Sequence, residues 1–518
     1  MIATPVITIF LPAYALAAVL IGLVVKGIYN VFFHPLRSYP GPFLARTTRL
    51  YHIYWDLRGV LHIKTKEWHD QYGGIVRVAP DELSYNTAQA WRDICGRVYG
   101  TILLEPYANL GPCLGHRTKG RVGSFEKDRS FFNKTVNGAD HIQIAADSDH
   151  RRMRRLQSHA FSEKALRSQE DLLQTYVNLL MRQLRERAAN PATAVVDMVR
   201  WFNFTTFDMI GDLAFGESFK CLEEGVLHRW ITAIFSFVRC GNWIRAARRF
   251  PPPLSQLAKL FIPRHLIEER KYQFAFSRDK VNLRVEQDTK WSDFMSYILQ
   301  ANDEKGMSID ELYVGASFLI IAGSETTATL LSGATYLLLT NPPILETLKQ
   351  EIRSAFIDEA DINIQNTASL TYLNAVLEES LRMYPPVPNT FPRQTPSSGE
   401  VICGQFVKGG TSVGIPQWAT FRSTQNFHDP DVFHPERWLG DPRFAADQKD
   451  AFQPFSHGPR NCLGKNLAYA EMRLILSRLL WSFDLELQPK CKNWIADQKT
   501  YALWEKVDLD VKLMPVKR

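Results

Sequence analysis

The feature that most constrains the fold is a long apolar segment that starts after Ser308 and stops at Asn341. Ser308 and Glu311 match the S-x-x-E pattern of a capping box, which predicts a helix start at Ser308. Asn341, Pro342 and Pro343 predict its end, because proline cannot continue a helix. More than thirty residues lie between these signals, so the helix would be roughly 48 Å long. A helix of that length can cross a whole domain.

The rest of the chain supports one large domain. Its 518 residues are 45% hydrophobic and 22% charged, an ordinary globular balance. Helical patterning dominates residues 148–381, whereas residues 73–85 and 401–416 carry strand and turn signals. In the first of these strand regions the turn is predicted near Pro80 and Asp81. The pattern predicts a mainly α fold with small β-sheets that begins near residue 34.

The N-terminus departs from this globular pattern. Residues 5–25 carry no charge, and these 21 residues would span roughly 30 Å as a helix, the thickness of a bilayer core. A cleaved signal peptide has a basic start and a shorter apolar run, and a buried helix is the other alternative. Lys26 and Arg37 follow the segment and predict a cytosolic main domain. We therefore predict a membrane anchor over 1–33, with one transmembrane helix, and a main domain over 34–518.

Charge and cysteine usage narrow the function classes. The net charge of +7 and the pI of about 8.9 are too mild to predict a nucleic-acid partner. Seven cysteines, with no C-x-x-C pair, argue against a disulfide framework or a zinc ribbon. Reduced thiols fit a domain that faces the cytosol. The glycosylation sequons at Asn133 and Asn203 would then be unused.

One cysteine stands where a thiolate would be stabilised. The stretch FSHGPRNCLG, residues 455–464, places Cys462 just before a predicted helix over 464–483. Unpaired N–H groups and the positive end of the helix dipole favour a thiolate at this position. A thiolate is the form that binds a metal ion. The alternative is an inert buried thiol, the usual fate of a lone cysteine.

The neighbours of this cysteine suit a flat, anionic partner. Gly458 and Gly464 have no side chain and allow the backbone to approach a planar group closely. Arg460 can reach an anion, and Phe455 can pack on a ring. A thiolate, a close backbone, a cation and an aromatic ring together describe a heme socket, in which the porphyrin supplies the plane and its propionates supply the anions.

This stretch resembles a known signature. The pattern F-x-x-G-x-R-x-C-x-G marks the heme-binding loop of the cytochromes P450, the heme-thiolate monooxygenases, and all five specified residues are present. The resemblance implies the mainly α fold of that family and heme b as the cofactor. It also implies that Cys462 is the axial ligand of the heme iron, with Phe455, Gly458, Arg460 and Gly464 around the cofactor.

The middle of the long helix reads AGSETT, from Ala322 to Thr327. Gly323 weakens the helix, and the hydroxyls after it can loosen the backbone ladder. Glu325 and Thr326 then offer an acid and a hydroxyl in an apolar place, which is what proton delivery requires. The alternative is a solvated kink or a helix–helix contact. By resemblance to the family motif A-G-x-E-T, Glu325 and Thr326 relay protons to dioxygen bound at the heme.

Two further stretches resemble family motifs that support the heme side of the core. Glu379 and Arg382 share a helix face at i and i+3, which alone indicates a surface ion pair. The resemblance is to E-x-x-R, whose partner arginine matches Arg437, and it implies a structural network. The stretch at residues 149–162 resembles a W-x-x-x-R helix, with His150 in place of tryptophan and Arg154 after it.

By resemblance His150, Arg154 and Arg393 bind heme propionates. The alternative is a solvated basic face, and such a face would also suit an acidic reductase.

Substrate contacts are expected from several apolar segments. The candidates are a loop over residues 102–113, Phe318 and Ala322 on the long helix, and Val387 and Phe391 after the E-x-x-R helix. They suit a lipophilic substrate, and each could equally be plain core. Residues 229–256 combine aromatics, arginines and prolines, and indicate either a surface loop between helices or an access lid at the membrane.

The resemblance covers about residue 34 to the end and is closest in character to the fungal microsomal members. It implies a monooxygenase in the endoplasmic reticulum membrane that acts on a lipophilic secondary-metabolite intermediate, a terpenoid or polyketide. Electrons would come from NADPH through a separate cytochrome P450 reductase, since no Gly-rich dinucleotide loop follows a strand. The alternatives are desaturation or oxidative coupling at the same heme, or a heme-binding sensor without turnover.

Overall fold

The computed structural model describes residues 4–96, 125–132, 135–250, 255–256, 260, 262–286, 293–300 and 306–517. The predicted pocket loop at 102–113 and the sequon at Asn133 lie outside these residues. The described part is mainly helical, with four small sheets. The predicted fold class, mainly α with small β-sheets, is confirmed.

Nineteen α-helices run through the described ranges. They are α1 (Thr4–Phe32), α2 (Phe43–Thr47), α3 (Leu50–Leu57), α4 (Leu61–Tyr72), α5 (Ala88–Ala90), α6 (Asp147–Ser158), α7 (Glu163–Ser168), α8 (Glu170–Ala188), α9 (Met198–Phe215), α10 (Cys221–Glu224), α11 (Arg229–Arg248), α12 (Arg264–Glu286), α13 (Phe294–Gln300), α14 (Ile309–Leu339), α15 (Pro342–Ala355), α16 (Ile364–Ala368), α17 (Thr371–Met383), α18 (Gln417–Phe421) and α19 (Lys465–Ser482).

The strands are short. They are β1 (Ile75–Ala79), β2 (Glu82–Tyr85), β3 (Glu126–Lys127), β4 (Val195–Asp197), β5 (Arg393–Gln394), β6 (Glu400–Ile402), β7 (Gln405–Val407), β8 (Ser412–Gly414), β9 (Phe483–Leu487), β10 (Lys499–Thr500), β11 (Trp504–Glu505) and β12 (Asp510–Pro515). The largest sheet has the order β1-β2-β8-β5-β3. A second sheet has the order β4-β12-β9, and β6-β7 and β10-β11 are separate pairs. The strand pair predicted over residues 73–85 is confirmed as β1 and β2.

Helix α14 crosses the core, as the sequence predicted. Ser308 caps it with a complete capping box to Glu311, and the helix ends at Leu339, just before α15 starts at Pro342. It packs against α9, α17 and α19. At Gly323 a Cβ atom would lie 2.7 Å from Cδ1 of Ile210 on α9. This glycine therefore permits the two helices to approach closely, a role that was not predicted for it.

The N-terminal helix is joined to the body through its last turn. Arg77 of β1 donates a hydrogen bond of 2.9 Å from Nη1 to the carbonyl of Asn30. The amide of Asn30 in turn donates to the carbonyl of Thr47 at 2.9 Å. A cation at the C-terminal end of a helix is favourable because the exposed carbonyls there are electronegative. The end of α1 is thus fixed to the largest sheet.

Among the described residues, α14 is long and apolar enough to cross a membrane. However, 67% of its most apolar 18-residue stretch is buried within the protein. That burial identifies α14 as a core helix. The N-terminal helix contributes a shorter apolar segment, Ala17–Phe32, whose side chains are mostly exposed.

The C-terminal segment returns to the start of the folded body. The backbone N–H of Thr500 on β10 donates to the carbonyl of Gly59 at 2.8 Å. The hydroxyl of Thr500 lies 2.9 Å from Nδ1 of His62 on α4. Strand β12 also lies between β4 and β9. Contacts between distant parts of the sequence therefore complete this side of the fold.

One sequence interpretation is wrong in part. The segment over residues 229–256 was interpreted as lying between helices, but its first twenty residues form helix α11. No proline occurs between residues 229 and 250, so nothing interrupts the helical backbone there. Residues 251–254 lie outside the described part. The sequon residue Asn203 lies within α9 and its side chain is buried.

Candidate active site

The backbone around Cys462 forms a tight loop before α19. A short 3₁₀ turn over Gly458–Arg460 precedes it, and the N–H of Cys462 donates to the carbonyl of Phe455 at 2.8 Å. The thiol accepts a hydrogen bond from the backbone N–H of Gly464, the residue that caps α19. This arrangement presents the sulfur at the N-terminal end of a helix, where a thiolate is favoured.

Cys462 lines a concave space. Its side chain is exposed to a solvent-sized probe, yet the surrounding protein is dense enough that burial raises the pKa of the thiol. The N–H of Gly464 and the charges of Arg154 and Lys465 act in the opposite direction and lower that pKa. A residue that is both reachable and surrounded belongs to the wall of a cavity. The loop therefore offers a sulfur ligand to a group inside the protein.

Gly458 is required for a reason beyond the predicted one. Its φ is +76°, and a Cβ atom would lie 2.1 Å from the carbonyl oxygen of Cys95. The loop therefore packs directly on the backbone that follows the turn at Trp91–Cys95. Gly464 has more space, with the nearest atom of Phe161 at 3.8 Å from a built Cβ.

Phe455 packs on Tyr469 of α19, with ring centroids 5.1 Å apart. This contact fixes the start of the loop against the helix that follows it.

Two cations lie directly opposite each other next to this loop. Lys127 of β3 pairs with Arg393 of β5 in antiparallel register, so their side chains share one face of the sheet. Arg393 is 2% exposed and donates from Nη1 to the carbonyl of Phe125 at 3.0 Å. Burial, and then the charges of Arg393 and Arg460, hold the pKa of Lys127 far below its usual value. Like charges in this position repel each other.

The remaining predicted cations join the same cluster. Arg460 binds Asp147 at 2.7 Å, while its Nη1 is buried without a hydrogen-bond partner among the described residues. Arg154 donates to the side-chain oxygen of Asn461 at 2.8 Å, next to Cys462. His150 is buried on α6, and burial together with Arg460 and Arg154 lowers its pKa to about 4. His150 is therefore neutral at pH 7.

These residues fit a bound heme. Nη1 of Arg460 is buried without a hydrogen-bond partner among the described residues, and Lys127 lies directly opposite Arg393. Anionic oxygen atoms would stabilise both features, and a heme supplies such atoms through its two propionates. Asp147 is the carboxylate that pairs with the cluster through Arg460. The cysteine sulfur, the cations and the ring of Phe455 thus supply the donor set that a heme-thiolate centre needs.

Helix α14 presents a stripe of half-buried residues along one face. Phe318, Ala322 and Thr326 are spaced by four and share one face, and each is half-buried. The hydroxyl of Thr326 donates to the carbonyl of Ala322 at 2.7 Å. Val387 and Phe391, on the segment between α17 and β5, are also half-buried. The ring of Phe391 lies 6.1 Å from that of Phe132.

A cavity of about 60 Å³ lies next to the segment that holds Val387 and Phe391. Asn389 and Thr390 contribute to its wall, together with residues of α3, β2 and α11. The cavity does not contact the cysteine loop. The cavity therefore lies between α11 and the segment that contains the predicted substrate contacts Val387 and Phe391.

Glu325 points to another side of α14. It is 1% exposed and forms a buried ion pair with Lys506, beyond β11. The hydroxyl of Thr329 donates to its Oε1 at 3.3 Å. Burial raises the pKa of Glu325, and Lys506 opposes that rise. The side chain is therefore not a solvated kink residue, one of the alternatives that the sequence left open.

The three residues of the E-x-x-R pattern meet in the core. Arg382 donates to both oxygens of Glu379, at 2.9 and 2.7 Å, and Arg437 lies 3.4 Å from the same carboxylate. All three side chains are 0% exposed. Arg437 also pairs with Asp447, and Trp438 donates to Glu379 at 2.9 Å. The arrangement excludes the alternative of an exposed surface pair.

Sequence reasoning missed two residues at this site. Lys127 stands in a two-residue strand, and only its pairing with β5 reveals that it faces Arg393. Lys506 is 181 residues from Glu325 along the chain. Neither residue has a local motif, so no pattern in the sequence alone connects them to the site.

The comparisons with known proteins agree with this geometry. The family model for cytochrome P450 matches residues 116–513, more than half of the chain. The chain is 50% identical over 506 residues to cytochrome P450 monooxygenase aclL of Aspergillus oryzae, covering 98% of this chain and 99% of that protein. It is 45% identical over 493 residues to cytochrome P450 monooxygenase astA of Talaromyces wortmannii, covering 95% and 94%.

The chain therefore belongs to the cytochrome P450 family. It is an enzyme, a heme-thiolate monooxygenase that uses dioxygen, a redox partner and a small-molecule substrate. The alternative of a sensor without turnover is wrong for a member of this family whose relatives are monooxygenases.

Proposed function

We propose that the chain inserts one oxygen atom from O2 into a lipophilic small molecule, an intermediate of fungal secondary metabolism of terpenoid or polyketide type. The observation that carries the proposal is the half-buried stripe of α14, whose apolar members Phe318 and Ala322 share a face with Thr326. Val387 and Phe391 provide further apolar surface on the segment before Arg393. A pocket with this lining excludes water and favours an apolar substrate.

In this proposal the sulfur of Cys462 would bind the iron of heme b. Arg154, Arg393, Arg460 and Lys127 would bind its propionates as cations, and His150 would take part as a neutral donor. Heme with a thiolate ligand supplies dioxygen activation, because the sulfur donates electron density that favours O–O cleavage. The loop from Phe455 to Gly464 fixes the sulfur and keeps the backbone close to the ring.

The chain's own residues would then manage protons. Thr326 holds a hydroxyl proton on the half-buried stripe, and Glu325 supplies a titratable group one residue earlier. A proton passes from Glu325 to the hydroxyl of Thr326 and onward into the pocket, while Glu325 regains one from solvent. The network of Glu379, Arg382 and Arg437 has a structural role, since it fixes the core below the cysteine loop.

We also propose the cellular setting. Residues 1–33 form a single-pass anchor in the endoplasmic reticulum membrane, with the transmembrane part at about 5–25, and residues 34–518 form a cytosolic catalytic domain. The exposed apolar side chains of Ala17–Phe32 and the junction of Asn30 with Arg77 support this arrangement. NADPH–cytochrome P450 reductase would deliver the electrons.

The test compares the intact chain with Cys462→Ala, each expressed with a reductase in the native host background lacking the gene. We expect the intact chain to convert an accumulating compound into one that is heavier by one oxygen atom. The Cys462→Ala strain should accumulate the precursor. A product lighter by two hydrogen atoms would replace oxygen insertion by desaturation or coupling, and identical profiles would contradict the proposed function.

A further inference from the structure

The ion pair of Glu325 and Lys506 is part of a closed triangle of hydrogen bonds. Lys506 contacts Glu325 Oε1 and donates to Thr329 Oγ1 at 2.8 Å. Thr329 donates to Glu325 Oε1 at 3.3 Å. The side chains of Glu325 and Lys506 are 2% and 3% exposed. Oε2 of Glu325 has no hydrogen-bond partner among the described residues, so one oxygen of this carboxylate is left for another interaction.

Lys506 reaches α14 from the C-terminal part of the chain. It follows β11, whose Trp504 stacks on Tyr384 with ring centroids 4.6 Å apart. Consecutive residues of a helix point about 100° apart. The pair therefore holds Glu325 on a face of α14 next to, and different from, the face of Thr326, whose hydroxyl donates to the carbonyl of Ala322.

The charges around the pair are few. Burial raises the pKa of Glu325, and Lys506 is the cation that opposes this rise. Just after α17, the buried phenol of Tyr384 has its own pKa raised by burial and by the charge of Glu325. From α19, Glu471 contacts Thr327, and burial raises its pKa to about 8. Lys506 is thus the cation next to Glu325 that favours its ionised form.

We propose that Lys506 is a positioning residue for proton delivery, which favours the ionised form of Glu325 and holds its side chain away from Thr326. This inference rests on the proposed role of Glu325. Glu325 can pass a proton to Thr326 only after it has gained one, and a neutral Glu325 no longer attracts Lys506. Gaining the proton therefore frees the side chain, and Lys506 sets the pH range in which that occurs.

The first test observes Glu325 directly and does not depend on turnover. The pH titration of the C=O stretch of protonated carboxyl groups is recorded by infrared difference spectroscopy on the heme-loaded protein, and Glu325→Gln identifies the Glu325 band. In Lys506→Met we expect the band to persist about 1–3 pH units higher, because an adjacent opposite charge shifts a carboxyl pKa by that amount. Lys506→Arg keeps the charge and should titrate near the wild-type pH.

A matched control is Lys512→Met, which removes an exposed lysine whose partner Glu486 is also exposed. It should leave the Glu325 band unchanged. If Lys506→Met fails to fold, Lys506→Gln replaces it in the same titration. An unchanged band in a folded, heme-loaded variant that lacks the charge would overturn the inference.

The second test separates the inference from the proposed function. With a reductase present, NADPH consumption and peroxide release are followed against pH. The alkaline limit of coupled turnover should move upward in Lys506→Met. If the infrared band shifts while this limit does not, Lys506 does not control proton delivery. If Glu325→Gln leaves the pH profile unchanged, the proposed role of Glu325 fails, and it does so even where the infrared shift is present.

Discussion

Lys127 and Arg393 face each other across two antiparallel strands, directly opposite and close enough that the charge of Arg393 disfavours the charged form of Lys127. Such a pair is unfavourable by itself, since like charges on opposed strands repel. Anionic oxygen atoms between the two side chains would turn the repulsion into two favourable contacts. The pair is therefore expected to favour the binding of an anion, and its contribution to heme binding can be measured.

Replacing Lys127 by methionine should weaken heme retention by about tenfold. One charge-assisted hydrogen bond contributes about 1.5–3 kcal/mol, and 1.4 kcal/mol corresponds to a factor of ten. The rate of heme transfer from the purified protein to an acceptor protein measures the effect. Lys408→Met, at an exposed lysine near the same sheet, should not change the rate. Equal rates for both variants would remove Lys127 from the cofactor site.

The packing of the cysteine loop on Cys95 can be tested at Gly458. Gly458→Ala adds a methyl group 2.1 Å from a carbonyl oxygen at φ +76°, whereas Gly410→Ala at φ +78° meets nothing within 4 Å. We expect the Gly410 variant to lose about 1 kcal/mol of unfolding free energy from strain alone. The Gly458 variant should lose about 2–4 kcal/mol because overpacking adds to the strain.

Urea unfolding of the heme-loaded proteins gives both values. The absorption spectrum reports in parallel whether the cysteine loop has moved in the Gly458 variant. Equal losses of unfolding free energy in the two variants would show that the contact with Cys95 does not contribute to stability.

The buried network should respond strongly to the loss of one partner. Arg437→Met leaves Asp447 without its cation and Glu379 with one arginine, and all these side chains are nearly or fully buried. Breaking a buried pair costs about 3–5 kcal/mol, so we expect that loss in chemical denaturation. Arg443→Met removes an exposed arginine that pairs with Asp441 and should leave the unfolding free energy nearly unchanged, because exposed ion pairs contribute little to stability. Similar losses for both would contradict a buried network.

Glu471 should make stability fall with rising pH. Burial raises its pKa to about 8 in the folded protein, above the unfolded value near 4.3, so the folded state binds more protons between these values. Stability is then complete below about pH 4 and decreases as the pH rises toward 8. The loss amounts to about 1.4 kcal/mol per pH unit at most.

The cleanest window for this measurement is pH 6.5 to 8, above the range where buried histidines such as His150 titrate. Unfolding free energies of the wild type should fall by about 1–2 kcal/mol across it. The unfolding free energy of Glu471→Gln should lack this decrease across the same pH range. Parallel curves for the two proteins would show that Glu471 is already ionised in the folded state.

The sequence predicted those parts of the structure that depend on local pattern. The ends of α14 followed from a capping box and two prolines, because these residues act within one turn of the helix. The α fold and the β1–β2 pair followed from periodicity in the same way. The cysteine loop was recognisable because five specified residues fall within ten positions.

The parts that failed depend on contacts between distant residues. Helix α11 was taken for a linking segment because its aromatics and arginines hide the helical period, and its stability comes from packing that sequence does not show. Gly323 was interpreted as a weak point of α14, but its role is set by Ile210 on another helix. Lys127 reaches the site through the pairing of β3 with β5, and Lys506 reaches it because the C-terminal part of the chain packs against α14. Neither residue lies in a local sequence motif.

The hydrogen bond between Thr500 and Gly59 joins residues that are 441 positions apart. During synthesis, the amino-terminal part emerges from the ribosome roughly 20–90 s before its partner, at about 5–20 residues per second. Throughout that interval α4 and the carbonyl of Gly59 lack the contacts that they make in the folded protein. Glu325 likewise lacks its ion-pair partner until Lys506 has been synthesised. The nascent chain must therefore be kept from aggregating until almost all of it has been made. Expression conditions that slow elongation or limit chaperone supply should then reduce the yield of this enzyme more than its folded stability would suggest.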